Sequence, residues 1–218
     1  MARIVIIGGH GKVALRLAPP LVARGDEVTS AFRNPDHEAE VAATGARPVV
    51  ADVEQLDVDQ LAELVRGHDA VVWSAGAGGG NPTRTYAVDR DAAIRSIDAA
   101  KAAGVDRYVM VSYVGAGRDH GVPEDSSFFP YAQAKAAADE HLRASGLAYT
   151  ILGPGALTLD EPTGRIDVLE RGVRHDRTEV SRADVAAVIA AVLVDDATIG
   201  RTIDFRSGDT PIEEAIRA

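Results

Sequence analysis

Seven short apolar, β-branched runs recur along the chain with helical patterns between them, and this alternation restricts the available folds more than any other feature. The runs lie at residues 3–7, 28–32, 49–50, 70–73, 108–111, 149–152 and 202–205. Most are nearly continuous rather than alternating apolar with polar, which marks strands covered on both faces, as parallel strands are. Helical patterning is clearest at residues 60–66, 86–103, 132–144 and 182–193. Strand alternating with helix at this spacing predicts an α/β fold built on a doubly wound parallel sheet. An apolar fraction of 46% supplies its core, and 218 residues suit a single domain, residues 1–218.

Two stretches resist this pattern. Residues 153–178 hold two prolines, four glycines and several charges, with brief apolar patches at Leu157 and at Val168-Leu169. They read as an irregular excursion above the sheet, a small C-terminal substrate-side lobe, or else as a surface loop. Pro19 and Pro20 fall where residues 12–24 should be mid-helix. Each lacks a donor and crowds the preceding turn, so a kink near residues 18–21, or two short helical pieces, is expected. Gly25 then closes the element.

The strongest local signal is Ile4-Val5-Ile6-Ile7-Gly8-Gly9-His10-Gly11-Lys12-Val13-Ala14. A buried strand runs into a glycine cluster and then a helical pattern, the Rossmann-like context that gives such a motif meaning. Gly8 permits a tight turn, Gly9 adopts conformations closed to other residues, and Gly11 lets a pyrophosphate approach the helix N-terminus. Ala14 stands where a small residue packs helix on strand. Gly8, Gly9, His10, Gly11, Lys12 and Val13 are therefore candidate dinucleotide-binding residues, although a solvent-facing position is preferred for the His10 side chain itself.

The tip of the second strand separates NAD from NADP: an acid there bonds the ribose 2′-hydroxyl, and an arginine accommodates a 2′-phosphate. Here Arg33 stands without an adjacent acid, which favours NADPH over NADH; a surface arginine before a turn is the alternative. Asp52 closes the third strand and can accept from the adenine amino group, with Val53 beside it. Ser74, Ala75 and Gly76, at the end of the fourth strand, let a ribose or flat ring lie close to the backbone, and the glycine run through residue 80 can equally be a mobile loop.

Three residues carry a chemical hypothesis. Ser112 ends the fifth strand, and Tyr131 and Lys135 lie four apart on one helix face. An ammonium near the phenol would lower its pKa. Tyr131 could then exchange a proton at a carbonyl or alcohol while Ser112 hydrogen-bonds the oxygen. Lys135 could also hold the nicotinamide ribose. The structural alternatives are a helix-start aromatic for Tyr131, a solvated Lys135 and a loop-starting hydroxyl for Ser112.

Read together, these residues resemble the atypical short-chain dehydrogenase/reductase superfamily, above all its small NAD(P)-binding proteins related to NmrA and to flavin/biliverdin reductase B. The resemblance covers nearly the whole chain. Gly8, Gly11 and Ala14 match the glycine pattern, Arg33 the NADP-selecting position and Asp52 the adenine contact. Ala87-Val88-Asp89, residues 104–112 and Pro130-Tyr131-Ala132-Gln133-Ala134-Lys135 match the fourth helix, the fifth strand and the tyrosine–lysine segment. Residues 148–155 resemble the strand and turn that follow, except that Gly153 stands where arginine is common. Residues 180–186 match a signature that opens a C-terminal helix. The resemblance implies an NADP(H)-dependent oxidoreductase acting on a small carbonyl, quinone or flavin-like acceptor. An NADP(H)-sensing regulatory protein and an NAD(P)-dependent epimerase or dehydratase are the alternatives.

Composition narrows the rest. Cysteine is absent, and none of the six histidines forms an H-x-x-x-H or H-x-H pair, so no metal centre is expected. Twenty-three basic against thirty-three acidic residues give a net charge of -10, which disfavours nucleic acid as a partner. No apolar run is long enough for a membrane span or signal peptide, so the expectation is a cytoplasmic protein with a small-molecule substrate, monomeric or homodimeric.

Overall fold

The computed structural model describes residues 1–78, 80–173 and 178–218. In chain order the elements are β1 (Arg3–Ile7), α1 (Ala14–Ala23), β2 (Glu27–Phe32), α2 (Glu38–Ala42), β3 (Arg47–Val50), α3 (Val58–Val65) and β4 (Ala70–Trp73). A long helical stretch follows as α4 (Pro82–Thr85), a π-helical segment (Tyr86–Ala92) and α5 (Ala93–Ala103). Then come β5 (Arg107–Val111), α6 (Phe129–Ala144), β6 (Ala148–Pro154), β7 (Ala156–Thr158), β8 (Arg165–Val168) and β9 (Glu179–Ser181). The chain closes with α7 (Arg182–Val192), β10 (Arg201–Ser207), β11 (Thr210–Pro211) and α8 (Ile212–Ala215).

Nine strands form one sheet in the order β11-β8-β10-β6-β5-β4-β1-β2-β3. From β3 through β10 every pairing is parallel, whereas β8 and β11 add an antiparallel edge. The fold is Rossmann-like. Alternate residues of β1 feed opposite faces: Ile4 and Ile6 pack with Leu17, Leu21, Val185 and Ile189, while Val5 and Ile7 pack with Ile97, Ala100 and Leu142. Covering on both faces is why β1 and β4 read as unbroken apolar runs. The chain reverses direction across the sheet between β1 and β4, and the loops leaving their carboxyl ends diverge there into a crevice.

The division into two helical pieces at Pro19-Pro20, one of the two outcomes expected, does not occur: α1 is continuous from Ala14 to Ala23 and contains both prolines. Both rings lie on the exposed face, and the carbonyls they leave unpaired, on Leu15 and Arg16, belong to half-buried and exposed residues that water can reach. Leu17, Ala18 and Leu21 meanwhile bury against the sheet and hold the helix in place. The excursion expected over residues 153–178 is also more regular than its composition suggests. It supplies β7, which pairs with β9, and β8, which pairs with β10 and β11 around the fully buried Ile166. Residues 174–177 of that segment, His175 among them, and Gly79 of the glycine run lie outside the described residues. Among the described residues no helix is long and apolar enough to cross a membrane.

Candidate functional site

The loop after β1 is built by close approach. Gly8 has φ +90°, and a Cβ on it would lie 2.6 Å from the backbone N and Cα of Ala75, so only glycine fits beside the β4 terminus. The N–H groups of Gly8 and Gly9 both donate to Ala31 O, and that of Gly11 donates to Gly8 O. Those donors are therefore spent inside the loop. The N–H groups of Lys12 and Val13, at the mouth of α1, have no partner among the described residues. They are among the donors left for an anion, in the place where the helix dipole favours one.

Two cavities share the walls Ser74, Ala75 and Gly76. The smaller, about 300 Å³, is bordered by Gly8, His10, Gly11, Arg33, Asp52 and Val53. The larger, about 880 Å³, runs from Val13 past Ser112 and Tyr131 to the loop before α6. Of the residues singled out from sequence, Gly9, Lys12 and Lys135 border neither. A Cβ on Gly9 would strike Ser30 Cβ at 2.6 Å, so its smallness serves packing beneath the loop. His10 is not a bare surface residue: its Nε2 lies 2.7 Å from Glu40 Oε2, and its ring stacks on His37 with centroids 3.5 Å apart. His37 borders the smaller cavity beside the exposed Arg33.

At the larger cavity the geometry revises two expectations. Ser112 Oγ donates to Asp139 Oδ2 at 2.6 Å, so its proton points inward rather than into the cavity. Lys135 is fully buried, with Nζ donating to Val111 O at 2.8 Å and reaching Met110 Sδ at 3.4 Å. It therefore acts from behind the wall and does not lower the phenol pKa as its spacing suggested. Burial, followed by the negative fields of Asp89 and Asp139, pushes the Tyr131 hydroxyl well above the ordinary tyrosine value. The neighbouring Tyr113 is pushed up to about 12 for the same reasons, burial first and then Asp139 and Asp204. Burial pulls the Lys135 ammonium down, partly offset by Asp139 and Asp89.

Three residues of this centre were not singled out from sequence as site residues, although Asp89 fell in the segment matched to the fourth helix. Asp139 is fully buried, and burial raises its carboxyl despite Lys135 and the Ser112 hydrogen bond. The spacing of four that joins Tyr131 to Lys135 continues to Asp139, a signal that was available. Asp89 lies in the π-helical segment, accepts from Ala77 N–H at 3.0 Å, and is raised chiefly by burial. π-segments of this kind often occur where a side chain must be re-aimed. Tyr113 stands 5.6 Å from the Tyr131 ring, centroid to centroid, and its buried hydroxyl has no partner among the described residues.

Gly153, which stands where arginine was expected, leaves the room that Asp204 occupies, since a Cβ there would collide with Asp204 Oδ1. Arg171 supplies the guanidinium instead, donating to both Asp204 oxygens at 2.9 and 2.8 Å and to Ala116 O. Among the described residues no cluster of three or more His, Cys, Asp or Glu could hold a metal ion.

Residues 8–196 match the NAD(P)H-binding family. The chain is 36% identical to the uncharacterized sugar epimerase YhfK of Bacillus subtilis over 99% of both chains. Its fold overlays that of oxidoreductase YlbE from Lactococcus lactis with a TM-score of 0.85 at 28% identity, covering 98% of this chain and 94% of the other. It also overlays ChuY, an anaerobilin reductase of Escherichia coli O157:H7, with a TM-score of 0.77 at 25% identity over 95% and 98% of the two chains.

Proposed function

This chain belongs to the NAD(P)H-binding family, and on that premise we propose that it is an NADP(H)-dependent oxidoreductase that reduces a small carbonyl, quinone or flavin-like acceptor. The observation that carries the reading is the adjacency of the two cavities, which meet at the shared walls Ser74, Ala75 and Gly76. One end offers Arg33 and Asp52 to the adenosine half, and the other opens on Ser112 and Tyr131. The residues fit an extended dinucleotide: N–H groups at the start of α1 without a partner among the described residues suit its diphosphate, and glycine at positions 11 and 76 allows the close packing that shapes the walls, since a Cβ would press on Gly8 O at 3.0 Å and on Asp89 Oδ1 at 3.1 Å. Arg33 is the group that would select the 2′-phosphate.

The dinucleotide, when bound, supplies the hydride. Tyr131, held protonated by its surroundings, is suited to donate a hydrogen bond or proton to the acceptor oxygen rather than to act as a base. Ser112 can turn its own proton to the cavity once Asp139 carries one, because a protonated carboxyl would donate to Ser112 Oγ in place of accepting from it. Lys135, bonded to Val111 O, positions the end of β5 and balances Asp139 and Asp89 from behind. The lack of cysteine suits a reducing compartment, and we assign the activity to the cytoplasm.

A second reading, an epimerase that returns the hydride to its substrate, is favoured by the name of the Bacillus subtilis relative. Following NADPH and NADH oxidation at 340 nm with aldehydes, ketones, quinones and flavins separates the two. Net oxidation that prefers NADPH is expected. No oxidation by a preparation shown to bind NADPH would move the assignment to the epimerase or to a cofactor-sensing role.

A further inference from the structure

The acceptor end of the larger cavity carries one sign of charge. Glu124 and Asp125 lie exposed on its rim and Asp89 is buried in its wall, while no lysine or arginine among the described residues borders it. Beside these carboxylates the wall is aromatic. Phe128 is 43% exposed although it lies against two rings, with centroids 5.2 Å from those of both Tyr113 and Tyr131. Leu157, on β7, adds a second apolar surface, 36% exposed, to the same cavity. A large ring left partly open beside two others is a surface for stacking a flat ligand.

Resting on the oxidoreductase reading, we propose that the acceptor is a planar aromatic molecule, uncharged or cationic, and that this cavity rejects acceptors bearing phosphate or several carboxylates. The carboxylates exclude anions by repulsion through a partly enclosed space, where the field is less screened than in bulk water. The net charge of -10 on the whole chain acts in the same direction at longer range. The cofactor is anionic as well, but its charged groups belong to the other end, where Arg33 and the start of α1 receive them. A sugar carried on a nucleoside diphosphate would bring its diphosphate towards the acidic rim and is a poor occupant for the same reason.

Riboflavin and FMN share one ring system and differ by a phosphate, which makes them the matched pair for a test. Each is titrated by flavin fluorescence into the NADP⁺-saturated protein at low ionic strength. Riboflavin is expected to bind about tenfold tighter than FMN, since a dianion facing two or three carboxylates at roughly 10 Å meets repulsion of this order in water. The ratio should fall in Glu124→Gln/Asp125→Asn, which alters two exposed side chains, and should shrink with added salt. Equal or tighter binding of FMN, a ratio unchanged in the double variant, or binding of neither flavin would overturn the proposal. NADPH oxidation is read on the same samples. Charge-selective binding without oxidation would refute the oxidoreductase reading and leave the selectivity standing, whereas oxidation by both flavins at equal efficiency would do the reverse.

Discussion

Replacing Gly8 with alanine tests the construction of the site at its tightest point. Gly8 sits at φ +90°, a conformation that costs an alanine about 1–2 kcal/mol. The new Cβ would also lie 2.6 Å from Ala75 N and Cα and 2.7 Å from Ser74 C, all backbone atoms that cannot rotate away. Relief to an ordinary contact of about 3.5 Å requires the ends of β1 and β4 to part by about 1 Å. Strain of that kind in a packed region costs about 1–3 kcal/mol, so the whole substitution should cost roughly 2–5 kcal/mol. With a urea m-value of about 3 kcal/mol/M, the unfolding midpoint should fall by about 1 M or slightly more. Gly104→Ala is the control: it too has positive φ, +72°, but a Cβ there meets nothing within 4 Å, so only the backbone cost of about 1–2 kcal/mol applies. NADPH affinity should drop at least about tenfold in Gly8→Ala, because a displaced Ala75 moves the floor shared by both cavities, and one tenth of the affinity corresponds to only about 1.4 kcal/mol. Gly8→Ala no more destabilised than Gly104→Ala would refute the close-approach argument.

Arg33→Ala should weaken NADPH about tenfold to a hundredfold, the range of a charge-assisted hydrogen bond on an exposed residue, and should leave NADH nearly unchanged; calorimetric titrations of both cofactors check this, and equal losses would count against Arg33 as the selector. Tyr131→Phe should slow carbonyl reduction about a hundredfold or more while sparing flavin reduction, which needs little acid help, as steady-state rates with the two acceptor types would show. Burial raises the Asp89 carboxyl above its unfolded value of about 4, so the folded state binds more protons there and its stability falls as pH rises through the window above pH 4. Asp89→Asn lacks that loss, and its stability relative to the parent should grow from pH 4 to pH 7 in urea melts; a difference that shrinks with pH would have the wrong sign.

Much of the architecture was legible because buried parallel strands write themselves as continuous apolar runs, and Ile4 to Ile7 leading into Gly8 could hardly be read otherwise. The β8 strand was not legible, since a four-residue strand with one buried apolar residue, Ile166, leaves too short a pattern among charges. Pro19 and Pro20 misled because intrinsic propensity is local, whereas the burial of Leu17 and Leu21 that holds α1 together is tertiary. At the site, spacing along α6 placed Tyr131 and Lys135 on one face but could not say how deeply Lys135 lies. Depth decides its role: a buried ammonium bonded to Val111 O and flanked by two carboxylates leaves the phenol to be governed by desolvation. Gly153 reads as a lost arginine until Asp204 and Arg171 are seen to converge there from β10 and from beyond β8, a meeting of residues far apart in the chain.

The central claim, that hydride leaves the dinucleotide for a second molecule, is tested most directly with NADPH stereospecifically deuterated at C4, each label position in turn. With the acceptor that turns over fastest, mass spectrometry of the NADP⁺ formed should show the deuterium gone from one labelled form and kept in the other, a readout that holds even where the label then exchanges from a flavin nitrogen or a quinol oxygen. Loss of deuterium in equal measure from both forms, or label that stays on the cofactor while the substrate is isomerised, would contradict it.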